Sequence, residues 1–127
     1  MKKYVGTGMV LVIFLVFSVS PGLAEVDITG TWKGETMVPD SMDPDVLTLV
    51  IQKKDGAYQA MISDEFGYCE NAEASDLEVD GNTLSFNFMI MDGGTIFITM
   101  TVDGDRMTGT WEDEGGSGAD VTMTRQK

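Results

Sequence analysis

Ile28-Thr29-Gly30-Thr31-Trp32 returns near the end of the chain as Met107-Thr108-Gly109-Thr110-Trp111. In both copies the glycine precedes the tryptophan by two positions, so on an extended strand both point to one face. Between the copies, apolar residues alternate with polar ones and Asp-Gly or Gly-Asn turns punctuate the run. Such a pattern describes a sheet that meanders and closes on itself.

The clearest segment is Thr83 to Ile90, where Leu84, Phe86, Phe88 and Ile90 alternate with Thr83, Ser85, Asn87 and Met89. Its period of two is that of a half-buried strand. Parity then tests the hairpins, because side chains facing each other across an antiparallel pair must share a face. A four-residue loop at Lys53-Lys54-Asp55-Gly56 sets Gln52 opposite Ala57, Ile51 opposite Tyr58 and Leu49 opposite Ala60. A two-residue turn at Gly81-Asn82 sets Val79 opposite Leu84 and Leu77 opposite Phe86. Asp92-Gly93-Gly94 sets Ile90 opposite Ile96, and Phe88 opposite Ile98. Gly104-Asp105, with glycine first as a type II′ turn requires, sets Val102 opposite Met107 and Ile98 opposite Trp111. All four agree with the apolar pattern.

Outward from these hairpins, residues 30–38, 46–52 and 119–125 read as further strands, and 63–74 as a long loop. No segment after the N-terminal stretch has helical period. The expected class is all-β: an up-and-down antiparallel meander of about eight strands. Its first and last strands would pair, removing the free edges. Glycines and alanines on the inward face (Gly30, Gly34, Ala60, Gly109) would leave room beside the aromatic rings.

Residues 1–24 stand apart. Lys2 and Lys3 are followed by an unbroken apolar run from Met9 to Phe17, then by Gly22-Leu23-Ala24. This is the layout of a secretory signal peptide, expected as a helix and removed after Ala24. The run is shorter than the about 20 residues of a membrane span. Cleavage leaves residues 25–127, about one domain of ordinary size, exported to the periplasm or the extracellular space.

The chain carries a net charge of −13, and losing the two signal lysines makes the mature part more acidic still. Nucleic acid and anionic membrane surfaces are therefore unfavourable partners. One cysteine, Cys69, excludes an internal disulfide, and histidine is absent. The commonest general base and metal ligand is thus missing. Cys69 sits among Asp64, Glu65 and Glu70, which disfavour its thiolate. Neither Asp40, Asp43 and Asp45 nor Glu112, Asp113 and Glu114 has the spacing of a calcium loop, and Met89-x-Met91 is a weak copper pattern. No catalytic residue, metal site or cofactor is assigned.

Gly30-Thr31-Trp32 resembles the Gly-x-Trp that opens lipocalins and other calycins. The run from this motif through Asp-Gly hairpins to a second Gly-Thr-Trp resembles small exported lipocalin-like domains of bacteria. The resemblance implies a barrel whose first tryptophan plugs the closed end beneath a basic residue from the last strand, here Arg125. A likeness to streptavidin stops at the first motif, since the tryptophans that clamp biotin have no counterparts.

Two binding regions follow. Trp32, Tyr58, Phe88 and Trp111 would line the interior, either as a filled core or around a small apolar ligand. On the outer face, Met89 opposite Phe97, with Met91 nearby, would form an apolar patch for a protein partner, as in an inhibitor or assembly factor. Oligomeric state is not legible.

Overall fold

The computed structural model describes residues 26–127; the signal segment expected at 1–24 lies outside the described residues. Nine strands follow one another: β1 (Gly30–Thr36), β2 (Asp45–Lys54), β3 (Ala57–Asp64), β4 (Ala72–Glu73), β5 (Ser75–Asp80), β6 (Thr83–Met89), β7 (Thr95–Asp103), β8 (Arg106–Asp113) and β9 (Gly118–Arg125). They form one antiparallel sheet in the order β4-β3-β2-β1-β9-β8-β7-β6-β5, with no helix among the described residues. The expected eight strands become nine because residues 72–80, expected partly as loop, form two short strands around Ala74.

First and last strands do pair. Trp32 stands opposite Arg125 and Gly34 opposite Met123 in the β1–β9 ladder. The ladder that is missing lies elsewhere, between β3 and β5. Residues 72–80 cross this seam: β4 pairs with β3 and β5 with β6. At the crossing the Ala74 N–H donates to the Ala60 carbonyl at 2.9 Å. A bulge between Ser75 and Glu78, with Asp76 at φ 53°, bends the strand there. It also replaces the expected pairing of Leu77 with Phe86. The result is a nearly closed barrel.

Alternation holds throughout; β7 runs buried and exposed in strict turn from Ile96 to Asp103. Two hairpins are nevertheless displaced by two residues from the expected register. Ile51 faces Ala60 and Leu49 faces Ile62, because the turn is the two-residue Asp55-Gly56 with both φ positive. That is a type I′ turn, whose twist suits a hairpin better than the longer loop. Likewise Phe88 faces Ile96 and Phe86 faces Ile98 across a loop that starts at Ile90. Met89 therefore faces Thr95, and Phe97 faces Asn87, so Met89 and Phe97 are diagonal neighbours, not opposite each other. The Val102–Met107 and Ile98–Trp111 pairings stand as expected. A two-residue slip preserves the buried face, which is why parity did not detect it.

Candidate functional site: the open end of the barrel

The interior divides into a filled half and an open half. In the filled half Trp32 is fully buried, and its indole Nε1 donates to the Ile28 carbonyl at 3.0 Å. The Arg125 guanidinium lies 4.5 Å from the Trp32 ring centroid. Its Nε bonds Asp105 at 2.9 Å, and its other nitrogens bond the carbonyls of Asp27 and Thr29. Gly30, at φ 130°, lets the chain pass beneath the guanidinium, which would sit 3.5 Å from an added Cβ. Met100, Met107, Met123, Leu84 and Val102 are buried in the same core and are absent from the cavity lining.

Two glycines expected to leave room for a guest do something else. A Cβ on Gly34 would stand 1.8 Å from the Thr122 carbonyl oxygen, and one on Gly109 would stand 1.9 Å from that of Thr99. They let neighbouring backbones approach closely, and hold no empty volume.

The space is at the other end. A cavity of about 400 Å³ opens there, walled by Leu47, Ile62, Phe88, Ile96, Ile98 and Trp111. Its mouth is formed by Val38 and Pro39, the β6–β7 and β8–β9 loops, and Tyr68. Trp111 is held by a short relay: its Nε1 donates to Thr36 Oγ1 at 2.8 Å, and that hydroxyl donates to the Asp120 carbonyl at 2.7 Å. Of the four interior residues singled out from the sequence, Phe88 and Trp111 line the cavity. Trp32 does not, being at the filled end. Tyr58 lies at the seam, in a separate crevice of about 240 Å³ with Ala60, Ala74 and Leu77. It stands on β3, the strand that borders the seam, opposite Lys53.

One feature of the cavity was not anticipated. Asp45, only 3% exposed, starts β2, and Asp64 ends β3; both turn into the cavity wall. Asp45 Oδ1 accepts the Phe66 N–H at 3.0 Å, and Asp64 Oδ1 accepts the Cys69 N–H at 2.8 Å. Asp64 Oδ2 is buried with no N–H or hydroxyl donor directed at it, and the Asp45 carboxyl is its neighbour. Burial, the hydrogen bond to Asp64 and the charge of Asp64 together push Asp45 up to about 7. Burial acts against Asp64 as well, but hydrogen bonds from Asp45 and from the Cys69 and Tyr68 N–H groups hold its pKa below the usual carboxylate value. Below about pH 7 the pair therefore holds one proton between its two carboxyls. The signal was present in the sequence: Asp45 continues the inward parity of Leu47 and Leu49, and Asp64 that of Ala60 and Ile62.

Residues 65–71 form a tethered loop beside the pair. The Glu65 N–H donates to the Val46 carbonyl at 2.9 Å, and the Met91 N–H to the Tyr68 carbonyl at 2.8 Å, which spans the seam. Cys69 is a buried free thiol, pushed up to about 12 by burial and by the charges of Asp64 and Asp45. On the outside Met89, Met91 and Phe97 are exposed, with Phe66 and Tyr68 also partly bare. Asp40 and Asp43 are exposed while Asp45 turns inward, so that acidic trio does not converge. No group of three or more acidic or thiol side chains among the described residues is arranged around a common metal position.

No family model matches the sequence, and no curated protein matches it either. Solved structures do match in shape. A redesigned β-barrel superposes with a TM-score of 0.53 at 13% identity, covering 79% of this chain and 92% of that one. Secretory abundant heat soluble protein 4 from Ramazzottius varieornatus gives 0.50 at 13% identity, covering 78% of this chain and 94% of that one. The likeness is one of fold. The chain is a nearly closed antiparallel β-barrel.

Proposed function

We propose that this is an exported binding protein which holds a small apolar molecule in the open half of its barrel. The observation that carries this reading is the cavity of about 400 Å³ with Phe88 and Trp111 in its wall. That volume falls within the range of small-molecule sites, and its walls are apolar apart from a few convergent polar groups. Kinship with the lipocalin-like domains is part of the proposal, supported by Gly30, Trp32 and Arg125 meeting at the filled end. Export is supported by the residue pattern of 1–24. Action by binding, without catalysis, is supported by the absence of histidine and by the pKa of the buried Cys69.

The test is titration with N-phenyl-1-naphthylamine, a neutral dye that fluoresces in apolar surroundings. Saturable enhancement, abolished when Ile98→Trp fills the cavity, is the expected result. No enhancement with the folded wild-type chain overturns the reading.

A second reading, a protein-binding module, is favoured by the exposure of Met89 (64%) and Met91 (77%) on one hairpin and its loop. Flexible thioethers of this kind adapt to apolar partner surfaces. Capture of a partner that survives Met89→Asp and Phe97→Asp would exclude this face.

A further inference from the structure

The binding reading leaves open which apolar molecules the cavity prefers, and its ionisable groups bear on that. Asp45, Asp64, Asp92, Asp113 and Glu114 all line it, and no lysine or arginine does. The three acids at the mouth are already engaged by backbone donors there. Asp92 accepts the Gly94 N–H at 2.8 Å, Asp113 accepts those of Gly115 and Ser117 at 2.9 Å, and Glu114 accepts that of Thr95 at 3.1 Å. The inner pair accepts loop N–H groups too, at Asp45 Oδ1 and Asp64 Oδ1, and differs in its burial. Asp45 is almost wholly buried, and Asp64 Oδ2 is buried beside it with no backbone donor. Two facing carboxyls in an apolar wall need a positive charge or a proton between them.

We propose that the cavity selects apolar molecules bearing a protonated amine, with the ammonium seated against the carboxyls of Asp45 and Asp64 in place of the proton they share. The hydrocarbon then lies against Leu47, Phe88 and Trp111. This rests on the binding reading above and narrows it to a ligand class. An ammonium supplies three donors and a full charge, so it satisfies both carboxylates at once, as the shared proton does less completely. A hydroxyl offers a single donor and no charge. A carboxylate or phosphate guest would meet only like charge along the wall, and the protein's net charge of −13 opposes its approach.

The experiment compares n-octylamine, 1-octanol and octanoate at pH 7 by displacement of N-phenyl-1-naphthylamine and by calorimetry on the wild-type chain. Octylamine is expected to bind about tenfold more tightly than octanol, the order of one charge-assisted hydrogen bond, and octanoate more weakly than either. Asp64→Asn and, separately, Asp45→Asn should each erase the amine preference, read as the ratio of octylamine to octanol affinity within the same variant. Asp55→Asn removes an equal charge from the distant β2–β3 turn and should leave the preference intact. Equal affinities for amine and alcohol, or a preference for octanoate, overturn the proposal but not the cavity reading. An amine preference that Asp55→Asn lowers as much as Asp64→Asn does overturns it too, as generic attraction. If neither the dye nor any of the three binds, the cavity reading itself falls.

Discussion

Asp45 and Asp64 turn to the same face of the β2–β3 hairpin, with Asp64 directly opposite Leu47 and Asp45 two residues before Leu47. This diagonal contact places two carboxyls inside an apolar wall. It also ties the loop at 65–71 to both strands, since each carboxylate accepts a loop N–H.

That pair gives the protein a pH-dependent stability. The Asp45 pKa is raised to about 7 in the folded chain, against an ordinary value of 3.8. Between those two pH values the folded state holds a proton that the unfolded state has lost, so this group's contribution falls as pH rises from about 4 to about 7. Asp64, with its lowered pKa, acts in the opposite sense: it contributes stability above its unfolded pKa, lost as pH falls through the folded value. In thermal unfolding measured across pH 4–8, Asp45→Asn should flatten the decline between pH 4 and 7. An unchanged slope would show that the pair does not share a proton.

The close-approach glycines give a sharper test. Gly34→Ala and Gly109→Ala each place a methyl group against a backbone oxygen of the adjoining strand. Backbone cannot yield as a flexible side chain does, so each should cost about 3 kcal/mol or more in denaturant unfolding. Gly115→Ala, whose Cβ would meet nothing closer than 3.5 Å, should lie within about 0.5 kcal/mol of wild type.

Arg125 is the fastener of the filled end. Arg125→Met keeps part of the apolar stem but loses the contact over Trp32 and the bonds to two carbonyls. A loss of about 2 kcal/mol is expected, combining a partly desolvated cation–π contact with charged hydrogen bonds. Lys127→Ala breaks only an ion pair whose lysine is 81% exposed, and its unfolding midpoint should match wild type.

The two tryptophans should report separately. Trp111 lines the cavity and Trp32 does not. Ligand-induced quenching of intrinsic fluorescence should persist in Trp32→Phe and vanish in Trp111→Phe. Quenching lost only in Trp32→Phe would place the ligand at the wrong end.

Met89→Asp and Phe97→Asp are surface changes by exposure, at 64% and 47%. Each should alter stability by less than about 1 kcal/mol, as circular dichroism melts would show. A larger loss would mean that this face packs against something within the chain.

Much was legible from residues alone. Alternation in Leu84, Phe86 and Phe88, and again in Ile96, Ile98 and Met100, dictates strands with one buried face, because successive side chains on an extended backbone point opposite ways. Turn chemistry at Gly81-Asn82 and Gly104-Asp105 fixes their hairpins, since few residues accept positive φ. From these came the antiparallel meander and the pairing of its first and last strands.

Tertiary structure decided what a period of two leaves free. Alternation sets register only to the nearest even step, so it was packing and the Asp55-Gly56 turn that set Tyr58 opposite Lys53, and the β6–β7 loop that set Met89 beside Thr95. Where the barrel fails to close, between β3 and β5, depends on a bulge at an ordinary-looking Asp76. The meeting of Asp45 with Asp64 depends on how two strands align, a relation across space that neither residue's neighbours in the chain record.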